Sequence, residues 1–387
     1  MRVDKTKWTT KQISSFFDLQ MGRTPSRKSL ELWENGDTPW VSIADMSGTR
    51  FISSTKEKLS AATIKQCNIP IIPVGTVIMS FKLTIGKTCI TNVPLTTNEA
   101  IMAFYPKKDV QIDNSFLCYA LSALKWKGNR AVKGVTINKK TISQKVISLP
   151  DFTEQQAIAS ELDAVQEMID GYKAQIADLD VLAQSIFLDM FGDPVSNPKG
   201  WEISLFYKVC DVRDGTHDSP KYYTEGIPLV TSKNLIEGNI DFTNAKFIAA
   251  EDAQIINKRS KVDNGDIIMP MIGAIGNPII VNEDRPFCIK NVALIKFCRL
   301  DISNVYIKYL LSSKPFDTYM HNINKGVAQK FVSLKTIRNF HIPVPPLVLQ
   351  QQFAAQVEAL EKRKELLRQQ LSDAETLMAE RMQYYFS

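Results

Sequence analysis

Two stretches of the chain carry apolar side chains at a spacing that predicts long amphipathic helices. In the first, apolar or small residues recur alternately four and three positions apart, a 3.5-residue period. These positions are Ile158, Leu162, Val165, Ile169, Tyr172, Ile176, Leu179, Ala183, Ile186 and Met190. Such a period is typical of a helix that packs along its length against a partner helix.

A second stretch repeats this stripe 195 residues later. Its positions are Phe353, Val357, Leu360, Lys364, Leu367, Leu371, Ala374, Met378, Arg381 and Tyr385. The long stems of Lys364 and Arg381 predict charged ends held in solvent at the edge of the stripe. The apolar members of both lists therefore predict a coiled-coil seam, with the two helices pairing antiparallel within one chain. The alternatives are a helix packed on its own domain and a generic dimerisation helix.

The segments in front of the two helices match each other in order. Trp8 and Gly22 in the first correspond to Trp201 and Gly215 in the second, at an offset of 193. Further matches have offsets of 189 to 195 and pair residues 39–42 with 228–231, 74–79 with 264–269, 85–87 with 275–277, 114–122 with 304–312, 133–135 with 325–327 and 140–142 with 335–337. Several pairs read as a turn followed by a β-rich apolar strand. The chain is therefore predicted to be an internal duplication.

These patterns predict a mixed α/β (α+β) fold with two similar domains, each followed by a long helix. The two helices are expected to pair as an antiparallel coiled coil with pseudo-two-fold symmetry. The predicted bounds are 1–150 for the first domain, 151–191 for the first helix, 192–200 for a linker, 201–346 for the second domain and 347–387 for the second helix.

Composition narrows the class of protein without naming a function. A hydrophobic fraction of 44% and a charged fraction of 23% are typical of a soluble globular protein. The net charge of +6 permits a nucleic-acid partner but does not require one. Six scattered cysteines without a Cys-x-x-Cys pair argue against a zinc site and favour a reducing cytoplasm. No signal peptide and no membrane span is predicted.

No catalytic motif is recognisable in the sequence. The run Gly86-Lys87-Thr88 resembles the end of a phosphate-binding loop, but Phe81 stands where that loop needs a glycine. Neither an Asn-Pro-Pro-Tyr nor an Asp-Pro-Pro-Tyr tetrapeptide, as used by adenine methyltransferases, occurs. We therefore expect a chain that is not an enzyme and binds neither a cofactor nor a metal itself.

The order domain, helix, domain, helix resembles the specificity subunits of Type I restriction–modification enzymes over essentially the whole chain. Residues 149–156, Leu-Pro-Asp-Phe-Thr-Glu-Gln-Gln, resemble the family's entry into the first helix, and residues 344–352 repeat this entry. Residues 187–194 at the helix exit, followed by Trp201, are also similar. No single run is specific, but their order and duplication are.

The resemblance implies that each domain is a target recognition domain that reads one half of a split site in double-stranded DNA. The helices would fix the gap between the halves and bind two modification subunits, which carry S-adenosylmethionine and methylate adenine. Restriction subunits, using ATP and magnesium, would join that core and cleave DNA. Two alternatives stay open: a recognition polypeptide of a split Type II-like modification system, and a two-domain coiled-coil adaptor for protein interactions.

Candidate DNA contacts are mainly basic residues in or beside loops, since lysine and arginine meet phosphates and bidentate side chains meet base edges. They are Arg27, Lys28, Lys82, Lys87, Arg130, Lys133, Lys139 and Lys140 in the first domain and Lys221, Lys233, Lys290, Lys325, Gln329 and Lys330 in the second. The loops around Lys133 and Lys325 are favoured because they are basic in both copies. For each residue the alternative is an ordinary solvated surface charge.

Overall fold

The structure is a computed structural model that describes residues 3–126, 129–131, 134–236, 238–271, 277–323 and 333–387, with the backbone alone at 129–131 and 134–136. It divides into two compact units, Met1–Lys173 with Gln369–Ser387 and Ala174–Arg368. Among the described residues, no helix has the length and apolar character needed to cross a membrane.

Short strands alternate with helices in both units. The strands are β1 (Thr9–Gln12), β2 (Phe17–Met21), β3 (Thr38–Val41), β4 (Phe51–Ile52), β5 (Glu57–Leu59), β6 (Val77–Ser80), β7 (Lys82–Leu83), β8 (Thr88–Thr91), β9 (Thr96–Thr97), β10 (Ile101–Pro106), β11 (Asn129–Ala131), β12 (Gly134–Thr136), β13 (Val146–Leu149), β14 (Glu202–Leu205), β15 (Asp211–Asp214), β16 (Ile227–Val230), β17 (Leu235–Ile236), β18 (Asn239–Ile240), β19 (Lys246–Ile248), β20 (Ile267–Pro270), β21 (Ile279–Ile280), β22 (Cys288–Ile289), β23 (Val292–Lys296) and β24 (His341–Val344). The helices are α1 (Ile13–Phe16), α2 (Ala61–Gln66), α3 (Asn114–Ala123), α4 (Lys139–Gln144), α5 (Phe152–Phe191), α6 (Phe206–Val209), α7 (Ala250–Ser260), α8 (Asn304–Leu311), α9 (Lys314–Ile323), α10 (Leu334–Arg338) and α11 (Leu347–Phe386).

The first unit is built on a five-stranded sheet in the order β2-β10-β6-β8-β4. A three-stranded sheet, β5-β3-β9, places the central strand β3 antiparallel to β5 and parallel to β9. Smaller sheets pair β1 with β13 and join three strands in the order β11-β12-β7. The apolar faces of these strands and of α3 bury Phe17, Phe104 and Phe116 in the main core, because alternate side chains of a strand point to one face.

The second unit repeats this plan. Its larger sheet has the order β15-β23-β20-β21, and its three-stranded sheet, β19-β16-β22, again has a central strand antiparallel to one neighbour and parallel to the other. Pairs β14-β24 and β17-β18 complete the set of sheets among the described residues. The predicted fold class, two similar mixed α/β domains each followed by a long helix, is confirmed.

Each unit contains an antiparallel stretch of the two long helices. In the first, Ile158 and Leu162 of α5 share a buried cluster with Tyr385 of α11, and Val165 and Ile169 share another with Ala374. In the second unit, the end of α5 meets the start of α11, where Phe187 and Phe353 have ring centroids 5.6 Å apart. Of the other seam positions, Val357 and Leu367 are buried, whereas Tyr172, Ile176, Leu179, Leu360, Leu371 and Met378 are half-buried.

The expectation for Lys364 is wrong. Its side chain is only 7% exposed, and its Nζ lies 2.7 Å from Asp180 Oδ1 and 2.8 Å from Glu361 Oε1. Two carboxylates replace the water that an ammonium group needs, so the lysine can lie inside the stripe. Arg381 does lie at the edge, 40% exposed, with its Nε 3.1 Å from Glu161 Oε1.

A buried glutamine ties each domain to the first turn of its helix. Gln155 accepts a hydrogen bond from the backbone N–H of Asp113, at 2.9 Å, and donates to two backbone carbonyls. Gln350 is bonded in the same way in the second unit, accepting from the N–H of Ser303 at 2.8 Å. Buried backbone groups must be paired, so this contact fixes where each helix leaves its domain.

Candidate nucleic-acid interface

A glycine closes the loop that follows β2 in the first domain. The N–H of Gly22 donates to the carbonyl of Ile101, and the N–H of Arg23 donates to the carbonyl of Thr97 at 2.8 Å. A Cβ on Gly22 would lie 2.2 Å from that Thr97 oxygen, which no side chain tolerates. The loop 22–28, here called the first glycine loop, is therefore held against the end of β9.

The second domain closes its loop in the same way. The N–H groups of Gly215 and Thr216 donate to the carbonyls of Val292 and Ile289, both at 3.0 Å. A Cβ on Gly215 would lie 2.3 Å from the Ile289 oxygen. Residues 215–223 form the second glycine loop, which lies against the end of β22. The sequence comparison aligned the two glycines, but only the structure explains why both are glycine.

The turn that faces each glycine loop differs between the domains. In the first domain three residues, Asn98, Glu99 and Ala100, connect β9 to β10. In the second domain only Lys290 and Asn291 connect β22 to β23, and Asn291 adopts a left-handed backbone with φ of 54°. One scaffold therefore presents different side chains at the same place.

The first facing turn presents a carboxylate. The Thr24 hydroxyl donates a hydrogen bond to Glu99, and Lys82 and Arg27 add positive charge nearby. Partial burial raises the pKa of Glu99, but the Thr24 hydrogen bond and these charges outweigh it and hold the pKa below its ordinary value. Glu99 is consequently ionised at neutral pH.

The second facing turn presents an ammonium and an amide group. Lys290 Nζ donates to Ser219 Oγ at 2.5 Å. His217 places its Nδ1 2.8 Å from Asn291 Oδ1 and its Nε2 2.8 Å from Asp214 Oδ2. Since both ring nitrogens have protein partners, His217 orders the loop, and Lys290 places an ammonium group at the turn.

Each glycine loop is also anchored to the first residue of a neighbouring edge strand. Arg27 forms two hydrogen bonds with Glu57, at 2.5 and 2.9 Å, and its guanidinium lies 3.7 Å from the ring centroid of Trp33. In the second domain, Lys246 lies 4.2 Å from the ring centroid of Tyr222. Glu57 and Lys246 occupy the same register, opposite the third residue of β3 or β16.

The structure gathers some of the candidate DNA contacts at this loop and leaves others apart. An open cavity of about 620 Å³ beside the first glycine loop is lined by Gln20, Met21, Gly22, Arg23, Thr24, Cys67, Glu99 and Lys139. Lys87 donates from Nζ to Ser47 Oγ at 2.7 Å. Among the described side chains, no ion pair is formed by Lys28, Lys82, Lys139, Lys140, Lys221 or Lys233.

The loops that the sequence favoured lie largely outside the described residues. Lys133, Lys325, Gln329 and Lys330 lie outside the described residues, and so does the side chain of Arg130. The structure adds Glu99, His217 and Asn291, which are not among the predicted DNA contacts. A signal existed for His217, which lies two residues after the aligned Gly215, whereas Glu99 and Asn291 fall outside the segments that match between the two copies.

Comparison with known proteins identifies the family. Residues 5–179 and 198–376 each match the family model described as the Type I restriction modification DNA specificity domain. The chain belongs to this family. The two matches start 193 residues apart, the offset of the aligned tryptophans and glycines, which confirms the duplication.

Two curated proteins and one solved structure are similar to this specificity-domain chain. The specificity subunit of the Type I restriction enzyme MjaIX of Methanocaldococcus jannaschii is 26% identical over 383 residues, 91% of this chain and 86% of the relative. That of EcoBI of Escherichia coli is 24% identical over 315 residues, 73% of this chain and 65% of the relative. The S subunit structure from M. genitalium is similar in fold, with a TM-score of 0.52 at 15% identity, covering 99% of this chain and 97% of that chain.

Proposed function

We propose that this chain is the DNA-recognition subunit of a Type I restriction–modification enzyme, with each domain reading one half of a bipartite target. The observation that supports this most directly is the pair of glycine loops, which have one backbone arrangement and different facing side chains. Two readers of unlike half-sites need a common scaffold and dissimilar contacts to bases.

The long helices serve as spacer and as docking surface in this proposal. Their apolar stripes are used within each unit, so the faces left outside the stripes are available to two modification subunits. Those subunits would bind S-adenosylmethionine and methylate adenine, and restriction subunits would supply ATP- and magnesium-dependent cleavage. The chain itself would contribute recognition, in the cytoplasm, without a catalytic group.

The test is the adenine-methylation map of cells that express this chain together with its modification subunit. We expect methylation at a motif of two short, different base sequences separated by a spacer of fixed length whose bases are not recognised. Cells expressing the modification subunit alone are the control and should lack the motif. Absence of the motif despite a complex that co-purifies would contradict the proposal and favour the protein-interaction adaptor.

Lys139 and Lys140, at the start of α4 near the first glycine loop, are proposed phosphate contacts. Replacing both with alanine should weaken binding of the assembled enzyme to its DNA and reduce the salt slope of log Kd by up to about 2, since each phosphate contact contributes about 0.9. Lys108→Ala is the matched control, because Lys108 follows the other end of β10 from this loop. An unchanged slope in the double variant would contradict the assignment.

A further inference from the structure

Glu99 stands among cations at the place where the first domain is proposed to meet DNA. Thr24, Arg23 and Lys139 line the same cavity as Glu99. The positive charges of Lys82 and Arg27 lower the pKa of the Glu99 carboxyl. No lysine or arginine in the described part of the chain forms an ion pair with Glu99. Its carboxylate is therefore held in place without being neutralised by a direct contact.

The position of Glu99 is fixed by backbone as well as by side chain. Thr24 donates to Glu99 from a loop whose neighbouring N–H, that of Arg23, is bonded to Thr97. Gly22 leaves no room for the loop to shift toward β9. A contact group whose supporting residues are locked in this way is suited to discriminate between similar ligands.

A carboxylate in this setting selects its partner by charge. Phosphates repel it, so it gains nothing from the DNA backbone that the surrounding lysines and arginines attract. In the major groove a carboxylate accepts hydrogen bonds from exocyclic amino groups, N4 of cytosine or N6 of adenine. At the second facing turn the Lys290 ammonium only donates hydrogen bonds, and the neutral Asn291 amide both donates and accepts them. This turn therefore favours different chemical groups from those that Glu99 favours.

We propose that Glu99 is a specificity-determining residue of the first domain that accepts a hydrogen bond from the amino group of a cytosine or adenine in its half-site. This inference rests on the proposed function. It predicts that Glu99 sets the base at a single position of one half of the target. The other half, read by the second domain, is independent of it.

The experiment compares methylation by complexes carrying wild-type chain, Glu99→Ala, Glu99→Gln or Glu34→Ala. Glu34 is an exposed glutamate of the same domain without an ion pair among the described residues, and its variant controls for the lost negative charge. Preference is measured as methylation of sites that differ from the motif at one position. Co-purification with the modification subunit shows that each variant folds and assembles.

For Glu99→Ala we expect one position in one half-motif to lose about five- to a hundredfold in preference, with the other half unchanged. If the base is adenine, Glu99→Gln retains the preference, since an amide pairs with N6 and N7. If the base is cytosine, Glu99→Ala loses the preference and Glu99→Gln weakens it, because the amide oxygen still accepts from N4 but without the negative charge. An assembled Glu99→Ala complex with wild-type preference at every position would overturn the inference alone. Absence of any bipartite motif with wild-type chain would overturn the proposed function, and the inference with it.

Discussion

The two glycine loops are a natural pair for comparison, because the same backbone hydrogen bonds support different side-chain chemistry. The first loop is anchored by Arg27 to a glutamate on the edge strand, and the second by Tyr222 to a lysine at the same register. The facing turns differ as well, with Glu99 in one domain and Lys290 in the other. The backbone of the site is thus shared between the copies, whereas its charges vary.

The largest effect is expected from replacing the glycine that each of the two loops contains. Gly22→Ala or Gly215→Ala places a Cβ against a backbone oxygen that cannot move aside, so each should lower the free energy of unfolding by about 3 kcal/mol. Urea denaturation measures this loss. Gly171→Ala, inside α5 with no atom within 4 Å of the added carbon, should instead stabilise by about 0.5–1 kcal/mol. Equal effects of all three changes would contradict the steric explanation.

Lys364 and Arg381, the charged residues that interrupt the stripe of α11, should differ in how much their ion pairs contribute to the free energy of unfolding. Asp180→Asn with Glu361→Gln leaves the Lys364 ammonium buried without a carboxylate and should cost about 2 kcal/mol of unfolding free energy. Glu161→Gln removes the charge that faces the half-exposed Arg381 but keeps an acceptor for the Tyr385 hydroxyl, so it should cost less than about 1 kcal/mol. Urea midpoints of the variants give both values. A smaller loss for the double variant than for Glu161→Gln would refute the distinction.

The smallest effect on the free energy of unfolding should come from the contact between Arg27 of the first glycine loop and Glu57, and it should depend on pH. The hydrogen bond from Arg27 holds the pKa of Glu57 below its ordinary value of 4.5, despite an opposing contribution from partial burial. A lowered carboxylate pKa stabilises the folded state above pH 4.5, and this stabilisation is lost as the pH falls through the lowered pKa. Both groups are partly exposed, so at most about 1 kcal/mol is involved.

The measurement is tryptophan emission during acidification, since Arg27 lies over Trp33. Wild-type chain should show a transition below pH 4.5 that Glu57→Gln lacks. Lys246→Gln, which alters the second anchor, should leave that transition in place. A transition that persists in Glu57→Gln would assign it to other carboxylates.

The helices and the duplication could be predicted because their signals lie in single stretches of sequence. A 3.5-residue period and an offset that stays between 189 and 195 require no knowledge of distant contacts. The burial of Lys364 depends on Asp180, which lies 184 residues away in the sequence. No local sequence pattern indicates this burial. The same holds for Glu99, whose partner Thr24 comes from 75 residues earlier. The candidate contacts were chosen by their charge, whereas the geometry at the glycine loops depends on which loops meet. The predicted domain bounds and the individual DNA contacts remain predictions.

The buried glutamines in the first turns of α5 and α11, Gln155 and Gln350, should affect how fast neighbouring backbone amides exchange their hydrogens with solvent. The backbone N–H of Asp113 belongs to a domain loop, but its acceptor is a side chain of α5, and Ser303 depends on α11 in the same way. Exchange of either amide hydrogen with solvent therefore requires the glutamine to be released. In hydrogen-exchange terms, each of these loop amides should exchange together with the first turn of its long helix, as one cooperative unit.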